Sequence, residues 1–168
     1  LDNISKYFNN NHFDIIVNCA AYASVDSCET EIELANKVNN IAVQKIAKIS
    51  NVKNIKLIHI STDYVFDGNS KKPYLENDQV NPINIYGKTK LAGEKAIQEI
   101  MPRNAIVLRT SWLYSEYGKN FVDTIIKLGK EHEELRIVSD QIGSPTYATD
   151  LAEVILLVVR NEKFRSHK

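Results

Sequence analysis

IKLIHIS, residues 55–61, is a short apolar run rich in β-branched side chains, and it predicts a buried β-strand. Similar runs lie on either side of it along the chain, DIIVNCAA at Asp14–Ala21 and AIVLR at Ala105–Arg109. Residues with helical spacing separate each run from the next. Strands that alternate with helices form parallel sheets through right-handed crossovers, with helices on both faces. The sequence therefore predicts an α/β fold built on a parallel sheet.

The first run, Asp14–Ala21, is apolar enough to predict a strand that is buried on both faces. The helix after it is expected to have Asp26 or Ser27 as its N-cap and to continue to Asn51. Asn39 lies within the apolar pattern of that helix. It must therefore either find a buried hydrogen-bond partner or face water.

The helix after the central strand carries Tyr86 and Lys90 and ends near Met101, before Pro102. Residues four apart share one face of a helix, so the ammonium is expected beside the phenol. A charge roughly 5 Å away would lower the tyrosine pKa by about two units, toward the range of general acids. The chain contains eight tyrosines, however, so one such pair also arises readily by chance.

Three further elements are expected downstream. Val122–Leu128 has helical spacing, Leu135–Val138 resembles a short fourth strand, and Thr149–Arg160 predicts a last helix. The loop at Thr62–Pro82 is unusually long for a compact domain, and such loops are more often functional than idle.

Composition narrows the functional classes. Hydrophobic residues make up 43% of the 168 residues, which is typical of one soluble globular domain. The 21 basic residues balance the 21 acidic ones, so the net charge gives no general affinity for nucleic acid or membranes. No apolar run reaches the ~18 residues of a membrane span. Cys19, expected in the core, and Cys28 are expected to be reduced thiols of a cytoplasmic protein. The four histidines are His12, His59, His132 and His167. Their spacing does not suit a metal site, so none is expected, and His59 is interpreted as structural.

Ligands of parallel α/β sheets bind at the carboxyl ends of the strands. Three stretches are expected at that edge: Ala20–Asp26, Ser61–Gly68 and Thr110–Tyr114. Thr62 ends the central strand, so its hydroxyl is expected to face the same crevice as Tyr86. A hydroxyl, a phenol and a lysine in one crevice form a candidate proton-transfer site.

Five sequence blocks resemble the extended short-chain dehydrogenase/reductases, and within them the dTDP-4-dehydrorhamnose reductases. They span nearly the whole chain in the order of that family: VNCAAYASVDSCE, STDYVFDG, YGKTKLAGE, RTSWLYSEYGKNF and DQIGSPTYATDLAE. The resemblance implies a Rossmann-like doubly wound sheet. It also implies that Tyr86 is the catalytic tyrosine, that Lys90 is its partner, and that Thr62 occupies the position of the catalytic serine or threonine.

The resemblance further implies two sets of contact residues. Those expected at the cofactor are Ala20, Ala21, Tyr22, Ala23, Tyr86 and Lys90. Those expected at the sugar nucleotide are Val25, Thr62, Asp63 and Trp112. Trp112 is as readily explained by packing, and Ala23 replaces a threonine that is usual in the family.

The implied reaction is reduction of the 4-keto group of dTDP-4-dehydro-6-deoxy-L-mannose by NADPH or NADH. The implied partners are this nucleotide-linked deoxy-sugar and, for the full-length protein, a second copy in a homodimer. Two alternatives remain open: a non-catalytic regulatory subunit of the methionine adenosyltransferase type, which shares these blocks, and a related sugar-nucleotide epimerase or dehydratase.

None of the six glycines forms the G-x-G-x-x-G turn that binds the cofactor pyrophosphate in this fold. The chain is therefore expected to be the central part of an NAD(P)-binding domain that lacks the first strand and the Gly-rich turn. The substrate-binding part is expected to begin near residues 110–150. Residues 1–168 alone are expected to bind cofactor poorly, to be inactive, and to associate through the exposed edge of the first strand.

Overall fold

A parallel sheet of three strands lies at the centre of the chain. The computed structural model describes residues 2–161 and 163–164, so His167 lies outside the described residues. The strands are β1 (Ile15–Asn18), β2 (Lys56–Thr62) and β3 (Ala105–Thr110), in the spatial order β1-β2-β3. Both pairs are parallel, with Asn18 opposite His59 and Thr62 opposite Thr110. The predicted parallel α/β arrangement is confirmed.

Helices alternate with these strands along the chain. They are α1 (Asp2–Asn10), α2 (Val25–Thr30), α3 (Ile32–Asn36), α4 (Ala42–Val52), α5 (Ile85–Ile100), α6 (Phe121–Glu131) and α7 (Ala148–Arg160). A π-helical turn, Lys37–Ile41, joins α3 to α4, and a 3-10 turn, Asp63–Val65, follows β2. Two short strands, β4 (Leu113–Tyr114) and β5 (Thr146–Tyr147), form a separate parallel pair.

The main apolar core lies between the sheet and the two helices α4 and α5. Its buried members are Val43, Ala47, Leu57, Ile97 and Met101. Full burial of an aliphatic side chain contributes roughly 1.5–3 kcal/mol relative to exposure. Since residues of α4, α5 and β2 meet in one cluster, both crossover helices pack on the same side of the sheet, and this packing fixes α5 against the end of β2.

The first strand is shorter and more exposed than predicted. It ends at Asn18, where the Asn18 side chain accepts a hydrogen bond from the N–H of Ala20 and the chain leaves the sheet. Cys19 is therefore exposed rather than in the core. Val17 is 40% exposed, so the prediction of burial on both faces is wrong. The next helix begins at Val25 with Ser24 as its N-cap residue, earlier than the predicted Asp26 or Ser27.

The predicted strand at Leu135–Val138 is also wrong. That segment is irregular, and both Ile137 and Val138 are largely exposed. An apolar run becomes a strand only where another strand pairs with it, and β5 forms instead further along at Thr146–Tyr147, against β4.

Candidate active site

Tyr86 lies in the first turn of α5, which is held tightly against the end of β2. The Asn84 side chain caps the helix by accepting a hydrogen bond from the N–H of Gly87 at 2.7 Å. A Cβ on Gly87 would lie 2.1 Å from the carbonyl oxygen of Tyr64, so only glycine permits this approach of the helix to the 3-10 turn. The rings of Tyr64 and Tyr86 pack edge to face, with 5.7 Å between centroids.

Thr62 ends β2 and connects to both Tyr86 and Asp63. Its hydroxyl accepts a hydrogen bond from the N–H of Tyr64 at 3.2 Å and donates to Asp63 Oδ1 at 3.1 Å. The Thr62 side chain also lies near the Tyr86 phenol, whose pKa it lowers. The structure therefore brings together the threonine and the tyrosine that the sequence placed in one crevice.

The predicted effect of Lys90 on the acidity of Tyr86 is wrong. Burial raises the pKa of the Tyr86 phenol above its usual value, the nearby Thr62 hydroxyl opposes this rise, and the charge of Asp63 adds to it. The lysine does not offset the burial because its Nζ atom turns toward the sheet, where it donates to the carbonyl oxygen of Ile60 at 2.7 Å.

Lys90 is almost completely enclosed, with 1% of its surface exposed. Besides the carbonyl of Ile60, its Nζ atom meets Nε2 of His59 at 3.4 Å. Burial lowers the lysine pKa to about 8, although the neighbouring carboxylate of Glu94 raises it. An amine with a pKa in this range can exchange protons near neutral pH.

His59 and Asn18 extend this buried polar group toward β1. The His59 ring is fully buried, and its Nδ1 atom lies 3.0 Å from Nδ2 of Asn18. Burial, aided by the charge of Lys90, lowers the pKa of His59 from 6.5 to about 3. The sequence marked His59 only as structural and gave no role to Asn18, because the contact depends on the pairing of two distant strands.

The buried His59 predicts a loss of stability in acid. The unfolded chain takes up a proton near pH 6.5 that the folded protein excludes down to about pH 3, so stability present above pH 6.5 is lost as the pH falls. Between pH 7.5 and pH 4.5 this should cost about 2–3 kcal/mol of unfolding free energy. Urea unfolding of the full-length protein at the two pH values measures the loss, and His59→Gln should reduce it by that amount. Equal losses in the two proteins would contradict the assignment.

Asn39 connects the loop after β1 to α5. This side chain is fully buried in the π-helical turn. Its Oδ1 accepts from the N–H of Tyr22 at 2.8 Å, and its Nδ2 donates to the carbonyl of Tyr22 at 3.0 Å and to the hydroxyl of Thr89 at 3.2 Å. Of the two alternatives expected from the sequence, a buried partner or exposure to water, the structure has the first. The loop at Ala20–Ala23 is thereby held beside the helix that carries Tyr86 and Lys90.

That loop presents open backbone at the carboxyl end of β1. Ala20, Ala21 and Ala23 are small and exposed, whereas Tyr22 is half-buried and its hydroxyl donates to the carboxylate of Glu31. Small exposed residues at this edge allow a planar or extended ligand to approach the backbone closely. The loop therefore fits a cofactor that lies across the edge of the sheet toward Lys90.

The residues expected at the sugar nucleotide lie at the same edge. Val25 is the first residue of α2, which follows β1. Asp63 follows the end of β2, and burial raises the pKa of its carboxyl group. Trp112 follows the end of β3 with φ at +46°, an uncommon conformation for a bulky residue. Its ring packs 5.1 Å from that of Phe121 and contacts Gly143 so closely that a Cβ there would lie 2.7 Å from the indole.

A buried ion pair, which the sequence interpretation missed, lies one turn beyond Lys90. Arg109 of β3 binds the carboxylate of Glu94 with both Nε and a terminal nitrogen, the shortest contact being 2.7 Å. The guanidinium also lies over the ring of Phe66, 5.0 Å from its centroid. The pair joins α5 to β3. The pattern of charges gave no signal for it because the two residues are on different elements.

A cavity of about 710 Å³ opens between α5, β3 and the loop before α5. Phe66, Glu94, Met101 and Arg109 are among its lining residues. None of the predicted catalytic or contact residues lines it, so it is separate from the crevice at Tyr86. Among the described residues, no group of histidine, cysteine or acidic side chains could hold a metal ion, and no helix is long and apolar enough to cross a membrane.

Comparisons with known proteins match most or all of this chain. A family described as RmlD substrate binding domain matches residues 1–168. dTDP-4-dehydrorhamnose reductase of Escherichia coli (strain K12) is 48% identical over 147 residues, which are 88% of this chain and 49% of that protein. The spore coat polysaccharide biosynthesis protein SpsK of Bacillus subtilis (strain 168) is 48% identical over 143 residues, 85% of this chain and 50% of that protein.

A solved structure, dTDP-4-dehydrorhamnose reductase from Bacillus anthracis str. Ames in complex with NADP, matches with a TM-score of 0.89 and 44% identity, covering 95% of this chain and 57% of that one. The chain spans about half the length of the curated relatives it matches. The fold predicted from the sequence and the resemblance to this family are confirmed. The chain belongs to the family of the RmlD substrate binding domain.

Proposed function

We propose that the full-length protein that carries this chain reduces the 4-keto group of dTDP-4-dehydro-6-deoxy-L-mannose to give dTDP-L-rhamnose, with NADPH or NADH. The observation that carries the proposal is the convergence of Thr62, Tyr86 and the buried Lys90 at the carboxyl edge of the sheet, where Thr62 ends β2 beside the first turn of α5. The names of the similar reductases support the substrate class, and the NADP complex of one of them supports the cofactor.

The chemistry divides between the cofactor and this chain's own residues. When bound, the nicotinamide cofactor supplies the hydride for C4 of the sugar. Tyr86 donates its phenolic proton to the carbonyl oxygen, which becomes a hydroxyl. Thr62 would hydrogen-bond the same oxygen with the hydroxyl that donates to Asp63 here. Lys90 lies one turn further along the same helix, and its amine, with a pKa of about 8, would supply the proton that restores the phenol.

Residues at the edge of the sheet would hold the two ligands. Tyr86 and the loop Ala20–Ala23 would bind the cofactor, since the loop is open and Asn39 fixes its position. Lys90, which is enclosed here, would reach the cofactor by turning its amine away from Ile60. Val25, Thr62, Asp63 and Trp112 would contact the sugar nucleotide. In this proposal residues 1–168 are the central part of the cofactor-binding domain, and the substrate-binding part begins near residues 110–150. The homodimer and the cytoplasmic location stay predictions.

Trp112 provides a test of the sugar-nucleotide contact. Because the ring is only half-buried, Trp112→Ala should raise the KM for the sugar nucleotide by about tenfold or more while costing less than the roughly 3–5 kcal/mol of a core aromatic. Trp112→Phe, which keeps a ring beside Phe121, is the matched control. Its KM for the sugar nucleotide should lie between those of the wild-type protein and Trp112→Ala. Michaelis curves and thermal melts on the same samples separate binding from packing. A large melting loss with an unchanged KM would show that the indole only packs.

The proposed reaction is tested by mixing the full-length protein with NADPH or NADH and the 4-dehydro sugar nucleotide. We expect the absorbance of the reduced nicotinamide to fall only when the sugar nucleotide is present. No consumption of either cofactor by a folded protein would contradict the proposal and favour the regulatory-subunit alternative. Interconversion of sugar nucleotides without net cofactor consumption would favour the epimerase.

A further inference from the structure

The orientation of the Asn18 side chain determines where the ring proton of His59 lies. Asn18 Oδ1 accepts from the N–H of Ala20 at 3.2 Å, so the amide nitrogen Nδ2 must face the histidine ring. An amide nitrogen only donates. His59 Nδ1, 3.0 Å away, therefore accepts, and the proton of the neutral ring is on Nε2.

The Nε2–H of His59 then faces Lys90. The Nζ atom of the lysine is 3.4 Å from Nε2 and 2.7 Å from the carbonyl oxygen of Ile60. An ammonium has three donors and no acceptor, so it would direct an N–H at another N–H. A neutral amine accepts from Nε2–H with its lone pair and still donates to Ile60. The environment therefore matches the neutral amine better than the ammonium.

We propose that Asn18 and His59 are positioning residues that fix the Nε2–H tautomer of the histidine and thereby favour the neutral, proton-accepting form of Lys90. All three side chains are more than nine-tenths buried, so water does not replace these contacts. The kinetic consequence rests on the proposed function. An amine held this way releases its proton to Tyr86 more easily than an ordinary lysine does.

Other groups near Lys90 act in the opposite direction. Glu94, one turn further along α5, and the thiol of Cys19 after β1 both raise the lysine pKa. Glu94 is already bound by Arg109, which weakens its effect on the amine. Burial outweighs both groups, and the resulting pKa of about 8 agrees with the donor that His59 presents.

Asn18→Asp tests the chain of contacts with a change of almost no volume. A carboxylate accepts from the N–H of Ala20 and also from a proton on His59 Nδ1, so the ring proton should move to Nδ1. His59 Nε2 then becomes an acceptor for the Lys90 ammonium. We expect the pKa of Lys90 to rise by at least about one unit, which makes its neutral fraction about tenfold smaller at pH values well below the wild-type pKa of about 8. Asn3→Asp, which adds the same charge at an exposed position of α1, is the control.

The readout is NMR of the full-length protein without cofactor. Ring ¹⁵N shifts report the tautomer of His59, and the ¹³Cε shift of Lys90 reports its titration, with His59→Gln and Lys90→Met identifying the signals. We expect the Nε2–H tautomer of His59 and a depressed Lys90 pKa in the wild-type protein and in Asn3→Asp. In Asn18→Asp we expect the Nδ1–H tautomer and a higher Lys90 pKa. An Nδ1–H tautomer or an ordinary lysine pKa in the wild-type protein overturns the proposal, even if the variant fails to fold. So does a folded Asn18→Asp protein with an unchanged lysine pKa.

Activity is measured separately on the same proteins. If the wild-type protein reduces the sugar nucleotide, the alkaline limb of the pH profile of kcat/KM should move to higher pH in Asn18→Asp. In Asn3→Asp it should stay at the wild-type pH. An alkaline limb that does not follow the NMR titration overturns the kinetic consequence. If no protein reduces the substrate, the proposed function fails, whereas the tautomer and the lysine titration still decide the positioning role.

Discussion

Replacing Tyr86 with phenylalanine in the full-length protein is expected to lower turnover by about 10²–10⁴-fold, the range for loss of a general acid. The ring and its edge-to-face contact with Tyr64 remain, whereas the hydroxyl that would donate the proton is gone. Loss of the phenolic hydroxyl near Thr62 should cost only about 1 kcal/mol of stability, so the protein should still fold. Steady-state rates at saturating cofactor and sugar nucleotide measure the effect.

Tyr64→Phe is the matched control for that experiment. Tyr64 lies beside Tyr86 in the same crevice, and burial raises its pKa as well, but the proposed mechanism gives its hydroxyl no proton to transfer. We expect turnover within a few-fold of the wild-type rate. If Tyr86→Phe keeps more than about a third of wild-type turnover, or if Tyr64→Phe is the slower protein, Tyr86 is not the proton donor.

Arg109→Met should produce the largest loss of stability. Glu94 is 1% exposed, and without the guanidinium its carboxylate would be a buried charge without its main partner. Removal of one partner of a buried ion pair typically costs about 3–5 kcal/mol. Urea unfolding of the full-length protein measures the change, and the double variant Glu94→Met/Arg109→Met should recover most of it.

Arg103→Met provides the comparison for this prediction. Arg103 is exposed in the turn before β3, so the same change of side chain should cost less than about 0.5 kcal/mol there. If Arg109→Met costs no more than the control, or if the double variant is less stable than Arg109→Met alone, the pair does not stabilise the contact between α5 and β3.

Sequence patterns predicted the elements whose apolar residues pack in the main core. The apolar runs predicted β2 and β3, and helical spacing predicted α5 with Tyr86 and Lys90 on it. The apolar run at Leu135–Val138 failed, because a strand depends on a partner strand that sequence periodicity cannot specify. The predicted burial of Val17 was wrong for a related reason, since β1 pairs with another strand on one side only in the described residues.

The candidate site was predictable in its members but not in its electrostatics. The i to i+4 spacing placed Lys90 on the helix of Tyr86, yet the direction of its amine depends on the carbonyl of Ile60 and the ring of His59. Both belong to β2, some thirty residues earlier in the chain. Asn39 shows the more favourable case, because a polar residue within an apolar helical pattern limited the expectation to a buried partner or exposure to water, and the structure has the buried partner.

The most direct test of the proposed reduction is isotope transfer. The full-length protein is incubated with the 4-dehydro sugar nucleotide and with reduced nicotinamide cofactor that carries deuterium at the transferable C4 position, and the product is analysed by NMR and mass spectrometry. We predict one deuterium at C4 of the 6-deoxy sugar, and a rate of incorporation that falls in Tyr86→Phe as turnover does. A product without deuterium, deuterium at another carbon, or equal incorporation by the wild-type and Tyr86→Phe proteins would contradict the proposed reduction with Tyr86 as its acid.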